Sequence, residues 1–268
     1  GGNYVSGDLV FKNLLREDTD FIIDAKNHNV SSSYYELRRL MPRVLGDVLP
    51  EELKSLGRFT FTGNSTITRT SFKSKSIIRT EIGTVDADLQ MGNINNFENA
   101  FYSGKAILSQ VNLGKLVQTE SLKTVSANLT FDGRGFTQNT VNTAINGTIS
   151  SIIFEDYNYK NITVSGNLKN PIFNGDLSIN DPNLKLNFKG LVDVSKNFNQ
   201  YDFEADVAFA ELNNLNLIKR DSISEFTGKI IMDMDGTTIN DAVGSITFQN
   251  TFYQNEHDDF FFQDFNIV

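Results

Sequence analysis

The sequence predicts an all-β protein, an antiparallel sheet with one dry face and one wet face. Three observations predict it. Apolar and polar residues alternate with period two in segment after segment. Phe is common at 22 residues while Trp is absent and Pro is limited to 4, so bulky strand formers abound and strand breakers are few. Helical spacing is confined to one stretch near 32–56. Side chains on a strand point alternately to opposite faces, so each alternating segment has an apolar and a solvated side. A buried parallel sheet would instead read as continuous apolar runs.

Ser33 with Glu36 three residues on makes a capping box, and Leu37, Leu40, Met41, Val44 and Leu45 follow at helical spacing. Pro42 ends or kinks that helix. A second short helix starts at Pro50, carries Glu51 and Glu52 in its first turn, buries Leu49, Leu53 and Leu56, and stops at Gly57. The stretch 32–56 thus reads as a helical insertion in a β protein.

The strands follow. Phe59 and Phe61 open the apolar parity. Val85, Ala87 and Leu89 alternate with Asp86, Asp88 and Gln90. Ile107 and Val111 share one parity, and Ala127, Leu129 and Phe131 alternate with Asn128, Thr130 and Asp132. Ile149, then Ile162 and Val164, then Leu177 and Ile179 continue the pattern. Over 184–194, Leu184, Leu186, Phe188, Val192 and Val194 oppose Lys185, Asn187, Lys189 and Asp193. Phe203, Ala205, Val207 and Phe209 oppose Asp202, Glu204, Asp206 and Ala208. Ile230, Met232 and Met234 oppose Asp233 and Asp235, and Ile246 with Phe248 close the series. Segment 106–113 resembles 205–212, Asp132-Gly133 resembles Asp235-Gly236, and Gly147-Thr148-Ile149 resembles Gly244-Ser245-Ile246. A strand-turn-strand unit recurs, which suits an architecture that grows by adding strands. One continuous segment over 1–268 is the expected organisation, and its first and last residues read as the interior of a longer chain.

Composition excludes most chemistry. The net charge is −9, with Lys plus Arg at 24 and Asp plus Glu at 33, so a nucleic-acid partner is not expected. With no Cys, disulfides, thiolate metal sites and thiol nucleophiles are excluded. The two His, His28 and His257, lie in polar stretches and read as ordinary exposed residues. Asp233-Met234-Asp235-Gly236 lacks the later ligands of a calcium loop, and Gly133-Arg134-Gly135 lacks the third glycine of a dinucleotide loop. The Asn64, Asn128, Asn146 and Asn161 sequons are chance matches in an Asn/Thr-rich chain, and Arg38, Arg39 and Arg43 read as a solvated face. No catalytic residue, metal or cofactor is expected. What remains is the apolar face, which is either paired in a sandwich or exposed along a curved open sheet.

The run Leu49 to Gly63 resembles a stretch of TamB-like translocation and assembly proteins, as do Ala144 to Ile149 followed by Tyr157 to Gly166, and Phe173 to Leu184. The related AsmA-like proteins share the pattern. The resemblance covers most of 50–250. It implies a long twisted sheet curled into a U-shaped hydrophobic groove, the repeating β-groove or β-taco. It implies a protein that spans the periplasm, is anchored in the inner membrane by a helix outside this segment, and conducts phospholipid towards the outer membrane. Its partners would be phospholipid acyl chains and an outer-membrane barrel of the TamA or BamA kind. The apolar-parity residues named above, from Phe59 to Phe248, would line the groove. The alternatives are an assembly module that holds barrel strands by strand addition, and a β-sandwich binding module.

Overall fold

The computed structural model describes residues 2–13, 20–40, 51–96, 98–135, 140–169, 171–195, 198–237 and 241–268. The protein is all-β and antiparallel. Strand order follows sequence order, and the path is not closed on itself. The chain divides into two compact units, Gly1–Thr143 and Ala144–Val268.

In the first unit, β1 (Tyr4–Lys12), β2 (Ile22–Ser33), β3 (Arg58–Thr68), β4 (Ser71–Thr80), β5 (Gly83–Gly92), β6 (Phe101–Asn112) and β7 (Leu122–Arg134) form a meander. Its helical pieces sit at strand ends. β2 stays paired as far as Ser33, opposite Arg58, so α1 (Tyr34–Leu40 among the described residues) starts only at Tyr34. The Ser33 half of the capping box forms: Ser33 Oγ accepts the Glu36 N–H at 3.4 Å, while the Glu36 carboxylate pairs with Arg58 at 3.2 Å. Met41, Pro42, Val44, Leu45, Leu49 and Pro50 lie outside the described residues. The second helix is a 3₁₀ turn, Glu51–Leu56, braced by a 2.9 Å ion pair between Glu51 and Lys54. It stops as expected at Gly57, whose φ of +64° is the left-handed cap. One helix was not foreseen. α2 (Leu113–Val117) starts where the Asn112 side chain accepts the Lys115 N–H at 3.0 Å.

The second unit holds β8 (Asn142–Phe154, entering from the first unit), β9 (Tyr157–Lys169), β10 (Ile172–Asp181), β11 (Leu184–Ser195), β12 (Phe198–Glu211), β13 (Ser224–Asp235) and β14 (Val243–Asn255). Two short strands, β15 (Asp259–Phe262) and β16 (Phe265–Ile267), both pair with β14.

Each strand contacts its sheet neighbours, the short helical segments pack on one another and on strand ends, and the strands belong to one sheet rather than two. The surface area agrees. Two compact domains of about half this mass would together expose about 14,000 Å². The chain exposes 16218 Å². Its stability therefore rests on ladder hydrogen bonds and side chains packed along each face, not on a closed core.

β-bulges interrupt the alternation. The register shifts between Ala25 and His28, between Leu108 and Val111, and between Val207 and Ala210. Asn27 and Gln110, within the first two, have φ of +48° and +52°. One extra residue reverses the parity, so residues three apart then share a face.

Candidate functional site

Residues opposite one another in an antiparallel ladder share a face. In the second unit the register joins Val164, Leu177, Phe188, Ala205, Ile230 and Phe248 in one row. A second row joins Ile162, Ile179, Leu186 and Val207. A third runs through Phe203, Met232 and Ile246, and a fourth through Phe173, Val192, Tyr201 and Met234. Leu184 and Val194 share this face by register, and Ile149 lies on the covered parity of β8. Gly166, Gly175 and Gly190 make a strip without side chains between these rows. A Cβ on Gly190, where φ is +144°, would lie 2.3 Å from the Asp202 carbonyl. The strip is bordered by Phe173, Phe188 and Phe203. The Phe188 ring centroid lies 5.1 Å from Phe203 and 6.3 Å from Phe173. Ala205 and Val207 are buried, whereas Leu177, Phe188, Phe203, Ile230 and Met232 are partly buried. The face is thus apolar, continuous within the unit and incompletely covered.

The other face is a charge ladder. Asp176, Lys189 and Glu204 lie in one row, and Asn187, Asp206 and Lys229 in the next. Lys229 Nζ meets Glu204 Oε2 at 2.7 Å, and that hydrogen bond holds the Glu204 carboxyl below its usual range. These residues border a shallow, solvent-open depression with Thr163, Ser165 and Ser178. Asp233 is exposed on this face, consistent with a solvated face rather than a calcium loop.

In the first unit the same logic joins Phe61, Ile78, Val85, Leu108 and Ala127, then Ser76, Ala87, Ala106 and Leu129, then Ser65, Ser74, Leu89 and Phe131. Phe59 lies opposite Ser32 on this face, and Val111 is buried on it. Here the middle of the face is polar. His28, 3% exposed, stacks on Phe61 at 4.6 Å. Its Nε2 lies 2.8 Å from Ser65 Oγ, and its Nδ1 lies 3.2 Å from the Phe61 carbonyl. Ser65, Ser74 and Ser76 continue a hydroxyl chain at 2.9 and 2.8 Å.

Three sequence expectations need correction. His28 is buried, not exposed, because the bulge at Asn27 brings it onto the face of Ala25. Ile107 lies opposite Asp86 and Asn128 on the polar face, because the bulge after Leu108 makes Leu108 the face-mate of Val111. Phe209 lies opposite Lys185 on the polar side, because the bulge after Val207 makes Ala210 its face-mate. The remaining named residues fall on the apolar side, and His257 is exposed.

One rim of the second unit carries features that the alternation did not reveal. Loop 212–223 places Leu215, fully buried, against Val207 and Ala210, with Tyr157, Tyr159, Leu184, Leu186, Leu212 and Phe226 packed around them. Buried carboxylates fix this rim. Asp181 accepts the Tyr157 hydroxyl and the N–H groups of Lys160 and Asn183, each at 2.9 Å for the latter two. Burial, then the bond to Asp181, pushes the Tyr157 hydroxyl up to about 12. Glu211 Oε1 accepts the Ser224 N–H at 2.9 Å, and Asp221 accepts from Arg220 at 2.8 Å and Tyr253 at 3.0 Å. The Arg220 bond holds the Asp221 carboxyl below its usual range.

Among the described residues no group of three or more His, Asp or Glu side chains is placed to hold a metal ion. No helix among them is long and apolar enough to cross a membrane. No protein-family model, curated protein or solved structure matches the chain.

Proposed function

We propose that this chain is a segment of a repeating β-groove protein of the TamB-like or AsmA-like kind. Its apolar face carries phospholipid acyl chains across the periplasm between the inner and outer membranes. The observation that supports this most is the pairing of one incompletely buried apolar face with one charged face on a single open sheet. Apolar side chains that the sheet leaves incompletely buried offer that side to a ligand. The energetic demand fits. Two acyl chains of about sixteen carbons crossing water unprotected would cost on the order of 25 kcal/mol at about 0.8 kcal/mol per methylene. An incompletely buried apolar strip removes much of that barrier without any catalytic group. An outer-membrane barrel of the TamA or BamA kind is the partner this reading carries with it.

The test is sided photo-crosslinking. Crosslinkers at Phe188, Ile230 and Met232 capture phospholipid from vesicles, and those at Lys189, Asp206 and Asp233 do not. Equal capture on both faces defeats the reading. Phe188→Asp abolishes capture with little loss of melting temperature, because the carboxylate stays hydrated on a half-open face. A collapse of the fold would mean that the site is covered.

A further inference from the structure

We propose that loop 212–223 is an end-stop for the acyl chains on the second unit's apolar face, with Leu215 at its centre. This rests on the lipid-carrying reading and adds an orientation to it: tails point to the Leu215 rim, and the polar head lies at the opposite strand ends, near Lys169, Pro171 and Gly236.

The register supplies the geometry. Leu215 packs on Val207 and Ala210, and Leu184 and Leu186 of the neighbouring strand pack around that cluster. Those positions form one end of the apolar face. The rows of Phe188, Phe203 and Tyr201 lie progressively further from it along β11 and β12 and are not part of that cluster. From Val207 to Tyr201 is roughly 20 Å of strand. The covered end is built to stay closed. Leu212 N–H bonds the Ser224 carbonyl at 2.7 Å, closing the neck of the loop. Asn214 Nδ2 bonds Asn183 Oδ1 at 3.1 Å, Asn216 Nδ2 bonds the Glu155 carbonyl at 3.1 Å, and Glu256 accepts the Ser222 N–H at 3.1 Å. The loop is thereby tied to three separate connections at the same rim.

A fixed apolar wall at one end and a chain-turn rim at the other make the two ends unequal for an amphiphile. Methylenes gain by reaching the wall. A hydrated head loses by approaching it, because the Asp181 and Glu211 carboxylates there are already buried and bonded within the protein.

The experiment uses the full chain with vesicles of phosphatidylcholine that carries a photoreactive group at the acyl terminus or on the head. The terminal probe should label 184–186 and 212–215, and the head probe should label 169–172 and 235–237. The reverse pattern, or both probes labelling both ends alike, overturns the end-stop while leaving lipid carriage intact. No labelling by either probe overturns both. Leu215→Ala supplies an independent arm. By lengthening the site it should raise preference for the longer of two matched phospholipids by roughly fourfold for each methylene newly accommodated. Leu217→Ala, at an exposed position of the same loop, should leave the preference unchanged. A folded Leu215→Ala protein with unchanged preference overturns the end-stop. If Leu215→Ala does not fold, the labelling pattern of the natural protein decides.

Discussion

The two units obey the same alternation, yet they bury different polar groups in different places. In the first unit the buried polar groups include His28, Ser65, Ser74 and Ser76, linked in a chain across the middle of the apolar-parity face. In the second unit they include Asp181, Glu211 and Asp221, gathered at one set of strand ends. The middle of the second unit's face is therefore left to Leu177, Phe188, Ile230 and Met232. In both units the buried polar groups find their partners on neighbouring strands and turns. Where a unit places them decides whether the face binds itself together or stays free for an apolar ligand.

Breaking the rim of the second unit should have the largest effect. Asp181→Ala takes the acceptor from the Lys160 and Asn183 N–H groups and from the Tyr157 O–H, whose oxygen still accepts from Asn183 Nδ2 at 2.9 Å. At about 1–3 kcal/mol for each buried group left unpaired, the loss should be roughly 3 kcal/mol or more. Urea denaturation of the full chain would show it as a lower midpoint. Ser74→Ala in the first unit comes next. It cuts the hydroxyl chain between Ser65 and Ser76, at about 1–3 kcal/mol. If that variant is as stable as the natural protein, the chain contributes nothing and the contrast between the units weakens.

An alkaline titration sharpens the contrast further. Tyr157 holds its proton more tightly when folded than when unfolded, because burial and then Asp181 disfavour the phenolate. The stability it contributes is complete below the unfolded value of 10.0 and fades as pH rises towards about 12. Tyr157→Phe should flatten that part of the stability profile, and a slope unchanged by the substitution would place its origin elsewhere. The smallest effect belongs to the charge ladder. Glu204→Gln breaks the exposed pair with Lys229, and its change in melting temperature should sit near the limit of detection, shrinking further in high salt.

Much of this was legible in the alternation, because period two is enforced by strand geometry. Phe188, Ala205 and Ile230 were assigned to one face from sequence, and the register puts them in one row. The Ser33 cap and the stop at Gly57 were legible because both depend on local side-chain and backbone chemistry. The misplacements of Ile107, Phe209 and His28 share one cause. An inserted residue reverses parity, and Gln110, Ala208 and Asn27 do not announce a bulge as a glycine would. The role of Leu215 was hidden for a different reason. The Asn-rich loop around it reads as a polar connection, and only long-range bonds from Asn214 and Asn216 show it folded back. The matched segments 106–113 and 205–212 gave a usable clue: each carries a bulge, at Leu108/Val111 and at Val207/Ala210.

Because each strand up to β15 pairs with the one just synthesised before it, the chain needs no distant segment before a hairpin can form. The loop to be closed at most steps is a short turn, so the entropy of closure is small and similar each time. Such a molecule is suited to folding like a zip, from whichever hairpin forms first. β2 to β3 is an exception, since the chain between Ser33 and Arg58 must be gathered before those strands meet. That long connection is where a kinetic pause should fall, and shortening it should speed folding without altering the register on either side.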